Sequence, residues 1–126
     1  MRVLVFGDRN WDNPTVVDEV LDRIHAERPI TCIIQGEARG ADTCGKMWGW
    51  LRIGRANTLG FPALWDRYGR GAGPIRNQQQ LDEGRPDLGV GFHNDIAHSK
   101  GSADMKRRLE KAGVPVEIYT ELGRQV

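Results

Sequence analysis

The sequence has few cysteines, almost no net charge and no long apolar run, and each shortage excludes a class of protein. Its two cysteines, Cys32 and Cys44, form no CxxC pair and stand in apolar segments, so a disulfide-stapled secreted domain is not indicated. The 18 basic and 17 acidic residues leave a net charge of +1, which provides no bulk field for a membrane surface or for nucleic acid. We therefore expect a cytoplasmic protein with reduced cysteines that binds neither a membrane surface nor nucleic acid.

The apolar stretches are too short for targeting or membrane insertion. The N-terminal "MRVLVFG" is too short for a signal peptide, and no other stretch is long enough to span a bilayer. Glycine, by contrast, is plentiful, with 16 residues gathered at the ends of segments, where sharp turns and close backbone contacts occur. A length of 126 residues suits one domain with its own core, expected to span residues 1–126.

Short apolar segments alternate with amphipathic ones along the chain. The apolar runs predict strands at residues 2–6, 30–34, 56–61, 87–92 and 114–119. Helices are expected near residues 14–24, 41–51, 74–84 and 102–113, with loops at 62–73 and 93–100. The predicted inward faces of the second and last helices are Ala41, Cys44, Trp48 and Leu51, and Met105, Leu109 and Ala112. This alternation predicts a three-layer α/β sandwich with a central, mostly parallel sheet of about five strands.

Polar and glycine-containing loops follow the predicted strands. They lie at residues 7–12, 36–42, 65–77 and 93–102, and they carry most of the unusual residues of the chain. In an open parallel sheet, ligands bind outside the carboxyl ends of the strands, where the strand order reverses. We therefore expect these four loops to converge on a ligand.

The segment "QGEARGAD" stands at a predicted strand-to-helix junction. Gly36 lets the chain leave the strand, and Gly40 allows the backbone to approach a ligand closely. The N–H groups of the following helix then face an anion, with Arg39 adding a forked contact to phosphate and Asp42 accepting from a sugar hydroxyl. The alternative is a plain glycine turn in which Asp42 complements the helix N-terminus.

The sequence does not support three known kinds of site: a nucleoside-triphosphatase loop, a dinucleotide-binding loop and a metal site. "GADTCGKM" fits the GxxxxGK of a nucleoside-triphosphatase loop, but Met47 stands where a serine or threonine must hold magnesium. The GxGxxG of dinucleotide-binding enzymes is absent after the first strand, which has "GDRNWD" instead. His93, Asp95 and His98 lack a further histidine or a cysteine nearby, so no metal site is expected.

Two further segments place polar residues near predicted helix starts. In "GRGAGPIRN", Arg76 and Asn77 fall in a first turn, where an arginine opposes the helix dipole unless an anion is bound, although a surface arginine is the alternative. In "HSKGSAD", Gly101 and Ser102 can cap the last helix or contact phosphate. Asp104 either supports that cap or activates water and stabilises a positively charged sugar.

Two tryptophans on the second predicted helix suggest a contact surface. Trp48 and Trp50 are two residues apart and therefore face opposite sides of the helix. One can enter the core, and the other, with Ile53, suggests contact with a second copy. We expect a homo-oligomer, a dimer or tetramer.

Four segments together resemble a known family. "FGDRNW", "QGEARGAD", "YGRGAGPIRNQQQLDEGRPDLGVGF" and "SKGSADMKRRLEKAGVPV" are similar to the YspA-type, cpYpsA-related branch of the SLOG superfamily. That superfamily also includes the Lonely Guy phosphoribohydrolases and the DprA/Smf proteins. The resemblance covers nearly the whole chain and implies a Rossmann-like fold with a site for a nucleotide or nucleotide derivative. It makes "QGEARGAD" the phosphate and ribose cradle.

The resemblance also implies roles for individual residues. In the Lonely Guy enzymes, an arginine before the fourth strand and an acid after a PGGxGT loop carry catalysis, and Arg76 and Asp104 match them by position. In this chain, "HNDIAHSKGS" replaces the PGGxGT loop, and the acid is an aspartate, not a glutamate. Met105 stands where those enzymes have a second acid. No cofactor or metal is implied. The expected ligand-binding residues are Gly7, Asp8, Arg9, Gly36, Arg39, Gly40, Ala41, Asp42, Gly73, Asn77, Gly101 and Ser102.

Two functions remain open at this point, and a third is disfavoured. The first is binding of a nucleotide-derived ligand, such as a nucleoside monophosphate or an ADP-ribose-like molecule, in a sensing or sequestering role. The second is a nucleotide N-glycosidase in which Asp104 supports water attack and Arg76 holds phosphate or ribose. DNA binding is disfavoured because no basic face stands out beyond residues 106–108.

Overall fold

Five strands and five helices make up the computed structural model, which describes residues 1–126. The strands are β1 (Arg2–Gly7), β2 (Cys32–Gln35), β3 (Thr58–Gly60), β4 (Leu88–Phe92) and β5 (Val116–Tyr119). The helices are α1 (Pro14–Glu27), α2 (Ala41–Arg52), α3 (Trp65–Tyr68), α4 (Ala72–Gly84) and α5 (Gly101–Lys111). Short 3-10 turns lie at Arg55–Asn57, Gly69–Gly71 and Ile96–His98.

The strands form one sheet in the order β3-β2-β1-β4-β5, and every pairing is parallel. The predicted Rossmann-like α/β fold is therefore confirmed. The chain builds outward from β1 through β2 to β3, then returns to the other side of β1 for β4 and β5. The strand order thus reverses between β1 and β4, which is where such sheets bind ligands.

Each face of the sheet is covered by its own pair of long helices. Val3 and Val5 pack with α1 and α2 in the larger apolar cluster, whereas Leu4 and Phe6 pack with α4 and α5 in the smaller one. This alternation along β1 reflects the two-residue period of a strand whose two faces are both buried. None of the helices combines the length and the apolar character required to cross a membrane.

Some expectations for single elements were wrong. Residues 62–73 were expected to be a loop, but they contain α3 and the start of α4, in which Pro74 is the third residue. Proline is tolerated there because the first turn has no N–H partner within the helix. Ala112 is exposed because it follows the end of α5.

The buried face of α2 also differs from the predicted one. Leu51 was expected to point inward, but it is 72 % exposed. Gly45 and Gly49 are buried instead, and a Cβ at Gly45 would lie 2.7 Å from the side chain of Val5. These two glycines bring the helix close to the sheet and turn its buried face away from Leu51. A prediction that counts only large apolar residues misses such a face.

Candidate ligand-binding site at the carboxyl edge of the sheet

A cavity of about 300 Å³ lies at the carboxyl ends of β1 and β4, beside the N-terminus of α5. We call it the inner cavity. It is located where the strand order reverses and is lined from the loops after β1, β2 and β4 and from α4 and α5. Eight residues expected to bind a ligand or to act in catalysis line it: Gly7, Asp8, Arg9, Asp42, Arg76, Asn77, Gly101 and Ser102.

Six other residues singled out from the sequence lie elsewhere. Gly36 and Arg39 line an adjoining cavity of about 350 Å³, described below as the outer cavity. Ala41 is buried in the larger apolar cluster. Gly40, Gly73 and Asp104 line neither cavity.

Asp42 organises the loop between β2 and α2. Its Oδ2 accepts hydrogen bonds from the backbone N–H groups of Gly36, at 3.1 Å, and Ala38, at 3.4 Å. Burial raises the pKa of this carboxyl to about 6, against the opposing effects of Arg76 and the two N–H donors. The carboxylate therefore serves as the internal acceptor of the loop.

Gly40 lies where the loops after β1 and β2 meet. Its φ is +74°, and a Cβ there would lie 2.3 Å from the carbonyl oxygen of Asp8. The N–H of Ala41, in the first turn of α2, donates to that same oxygen at 3.1 Å. Glycine is needed here because the loops after β1 and β2 pack against each other, which fixes the wall of the inner cavity.

Arg76 lies in the second turn of α4 and crosses to the loop after β2. Its Nη1 donates to the carbonyl oxygen of Gly36 at 2.6 Å, and its Nε donates to Oδ1 of Asn77 at 3.2 Å. A Cβ at Gly36 would lie 2.5 Å from that Nη1, so this glycine makes room for the guanidinium. Burial lowers the pKa of Arg76, although nearby Asp42 opposes the change. With five N–H donors, Arg76 retains donors for a ligand.

Asp104 stands behind the wall of the inner cavity. Its Oδ2 accepts hydrogen bonds from Nδ2 of Asn77, at 2.9 Å, and from Nε of Arg108, at 2.8 Å. Partial burial opposes ionisation, but the hydrogen bonds from Arg108 and Asn77 outweigh it and lower the pKa of Asp104. Asp104 is therefore an ionised carboxylate that accepts two hydrogen bonds and orients the side chain of Asn77.

The N-terminus of α5 faces the inner cavity with free donors. Gly101 and Ser102 lie in its first turn, before the hydrogen bonds of the helix itself begin. The N–H of Ala103 is satisfied by Oγ of Ser99 at 3.0 Å. Lys100 precedes the helix with an exposed side chain that forms no ion pair. Backbone N–H groups, the helix dipole and a lysine together favour an anion at this position.

Gln80 lines the inner cavity and was missed from the sequence. Its side chain is 2 % exposed, and its Oε1 is the one buried side-chain nitrogen or oxygen of the protein without a hydrogen-bond partner. Such an atom is costly to bury unpaired. Gln80 lies three and four residues after Asn77 and Arg76, and this spacing on a helix could have identified it.

His93 also lines the inner cavity and was not among the expected site residues. Its Nδ1 accepts a hydrogen bond from the N–H of Asp95 at 2.9 Å, so in the neutral ring Nε2 carries the proton. That Nε2 lies 4.0 Å from Oδ2 of Asp8. No group of three or more histidine, cysteine, aspartate or glutamate side chains is arranged to hold a metal ion.

A larger cavity, about 590 Å³, lies between α1 and β5 and is called the α1–β5 cavity. The Tyr119 hydroxyl lines it, donates to Glu117 at 2.5 Å and accepts from Nη2 of Arg23 at 2.9 Å. Burial, together with the hydrogen bond to Glu117, raises the pKa of Tyr119 to about 12. Three polar residues of this cavity, Arg23, Tyr119 and Glu117, are therefore hydrogen-bonded to one another.

Comparison with protein families assigns the first half of the chain. A family model described as "YspA, cpYpsA-related SLOG family" matches residues 1–68, just over half of the chain. The matched part contains β1, β2 and the loops that follow them, whereas α4 and α5 lie beyond it. No curated protein and no solved structure matches the chain. A match to this family suggests a nucleotide-related function.

Proposed function

Because this chain belongs to the YspA, cpYpsA-related SLOG family, we propose that its inner cavity binds a nucleotide or nucleotide-derived ligand. The ligand class is a nucleoside monophosphate or an ADP-ribose-like molecule. The protein acts by sensing or sequestering that ligand in the cytoplasm. Its phosphate occupies the N-terminus of α5, and its ribose lies toward Asp8 and Arg76.

The observation that carries this proposal is the gathering of unpaired donors around one cavity. Arg9 and Lys100 form no ion pair, and Arg76 keeps donors beyond those it gives to Gly36 and Asn77. The N–H groups of the first turn of α5 add to them. Charge-assisted hydrogen bonds of this kind suit phosphate oxygens. The buried, unpaired Oε1 of Gln80 adds an acceptor for a ligand hydroxyl or N–H.

Binding is favoured over hydrolysis by the position of Asp104. As the acid matched to the phosphoribohydrolases, it would have to reach the reacting sugar or its attacking water. Its Oδ2 is engaged by Asn77 and Arg108, and the residue does not line the cavity. We therefore expect bound nucleotides to remain intact.

Thermal unfolding against AMP, ADP, ATP, NAD, ADP-ribose and cyclic ADP-ribose tests the proposal, with each sample then analysed for free base. A ligand at about 100 times its Kd adds about 2.7 kcal/mol to the free energy of unfolding, which gives a clear rise in Tm. Intact ligand in the shifted samples supports a binding protein, whereas released base would make it a hydrolase. No shift with any of the six would overturn the proposal.

Lys100→Ala and Lys111→Ala form a matched pair for this assay. Both lysines are exposed, and they flank opposite ends of α5, but only Lys100 lines the inner cavity. We expect Lys100→Ala to weaken nucleotide binding about fivefold or more, since it removes a charge-assisted contact. Lys111→Ala should bind like the wild type. Equal effects of the two substitutions would argue against phosphate at the N-terminus of α5.

A further inference from the structure

The outer cavity adjoins the inner one. Both cavities are lined by Arg9, Ala38 and Arg76, so these three residues stand at their common boundary. The outer cavity holds about 350 Å³, and Trp65 lines it but not the inner cavity. Each volume suits one part of a nucleotide, and their sum lies within the usual range for small-molecule sites.

Trp65 is unusual among the tryptophans of this chain. Trp11 and Trp48 are 4 % and 1 % exposed, but Trp65 is 49 % exposed, in the first turn of α3. It forms no aromatic pair and no cation–π contact. The ring edge rests against α4, where a Cβ at Gly73 would lie 3.4 Å from it. The ring is therefore supported on one side and has π surface available to a ligand.

Glu37 provides a fixed acceptor in the same cavity. It is one of two non-glycine residues with positive φ, at +58°, a conformation that is uncommon for a residue with a side chain. Its carboxylate oxygens accept from Nε2 of Gln35 and Nζ of Lys46, each at 2.7 Å. A carboxylate has about four acceptor positions, so Glu37 can still accept N–H groups from a ligand.

From these contacts we propose that the outer cavity is a base-binding compartment. It rests on the proposed function, because the phosphate of the same ligand occupies the inner cavity. The planar base stacks on Trp65, and Glu37 accepts from an N–H on the edge of the base. Arg76, at the boundary, lies beside the sugar. The site then selects a whole nucleotide over a sugar phosphate.

Calorimetric titration with AMP and with ribose 5-phosphate separates the two compartments. We expect wild-type protein to bind AMP about tenfold or more tightly than ribose 5-phosphate, since base stacking on an aromatic side chain is worth that much. Trp65→Ala should remove most of the preference for AMP, leaving the part that Glu37 contributes, and should leave ribose 5-phosphate binding unchanged. Trp65→Phe should keep most of the preference because it retains an aromatic face.

Tryptophan fluorescence gives a second reading of the same contact. AMP should quench the tryptophan emission of the wild type but not that of Trp65→Phe, although calorimetry should show that Trp65→Phe still binds AMP. Trp50→Phe is the matched control. The Trp50 ring is covered by Lys46 and Arg55, with cation–ring distances of 4.9 and 4.1 Å, and it lies outside both cavities. That variant should keep the quenching.

Each negative result of these titrations has a different interpretation. If ribose 5-phosphate binds but AMP binds no more tightly, the base compartment is wrong and the inner-cavity proposal stands. If neither binds, both proposals fall. If Trp65→Ala weakens the binding of both ligands equally, Trp65 serves folding. If it changes the molar mass but not the affinity for AMP, Trp65 contacts a second copy of the chain. Either result would mean that the base compartment is wrong.

Discussion

The inner cavity is about half the volume of the α1–β5 cavity, yet the two differ more in how their polar groups are paired. In the α1–β5 cavity, Arg23, Tyr119 and Glu117 satisfy one another. In the inner cavity, Gln80 has a buried oxygen without a partner.

The two cavities therefore differ in a property other than volume. A buried polar group without a partner destabilises the folded chain, so its presence points to a role other than folding. The hydrogen bonds among Arg23, Tyr119 and Glu117 in the α1–β5 cavity are complete without a ligand. In the function proposed above, a ligand completes the hydrogen bonds of the inner cavity. The following predictions test the difference between the two cavities, from the largest expected effect to the smallest.

The largest effect on stability is expected from the packed loops that form the inner cavity. Gly40→Ala puts a methyl group against the carbonyl oxygen of Asp8 and also strains a φ of +74°. We expect a loss of about 2–5 kcal/mol in the free energy of unfolding, measured in urea. Gly113→Ala is the control, since its φ is +76° with no neighbour within 4 Å. Equal losses would mean that loop packing contributes nothing.

The next effect is a pH dependence from Asp42. Its folded pKa of about 6 lies above the ordinary value of 3.8, so folding favours the protonated form. Its contribution to stability is complete below pH 3.8 and is lost as the pH rises through 6. That loss is about 3 kcal/mol by pH 7. Urea unfolding at pH 4 and pH 7 should show a smaller pH difference in Asp42→Asn than in wild type. Asp66→Asn, an exposed acid, should leave the difference unchanged, and a similar change in both variants would exclude Asp42 as its source.

A direct test of the two cavities pairs Tyr119→Phe with Gln80→Leu. Tyr119→Phe removes the hydroxyl that joins Arg23 to Glu117, so it should cost about 1–2 kcal/mol of unfolding free energy and leave AMP binding unaltered. Gln80→Leu removes an unpaired amide, so it should change stability by less than about 1 kcal/mol while weakening AMP binding. Stability comes from urea unfolding and affinity from calorimetry. If Tyr119→Phe weakened AMP binding and Gln80→Leu lowered only the stability, the distinction between the two cavities would be wrong.

The smallest effect on stability is expected outside both cavities, on α2. Ile53 packs against the core and Trp50 is covered by two cations, so the exposed apolar pair is Met47 and Leu51, one helical turn apart. We propose that a homo-oligomer, a dimer or tetramer, uses this pair. Replacing both with serine should lower the molar mass measured by light scattering and change the unfolding free energy of the chain by less than about 0.5 kcal/mol. A monomeric wild type would refute the proposal.

Much of the fold could be predicted because it depends on short-range patterns. The apolar runs identified all five strands to within two residues, and Pro14 was placed at the start of α1. The convergence of loops at one edge follows from the parallel order. The α3 segment was missed because its four residues carry no apolar period, and the face of α2 was misjudged because glycine provides contact without apolar side chains.

The sequence by itself determined the α/β layers and the family, because a strand or helix must bury its apolar face and the spacing of apolar residues records that requirement. It also drew attention to Arg76, Asn77 and Asp42. Only the tertiary structure decided that Asp104 is held behind the wall, that Gly40 packs loops together, and that Gln80 and Trp65 face cavities. Whether a polar group is paired depends on distances between residues far apart in the chain, and local sequence does not contain those distances.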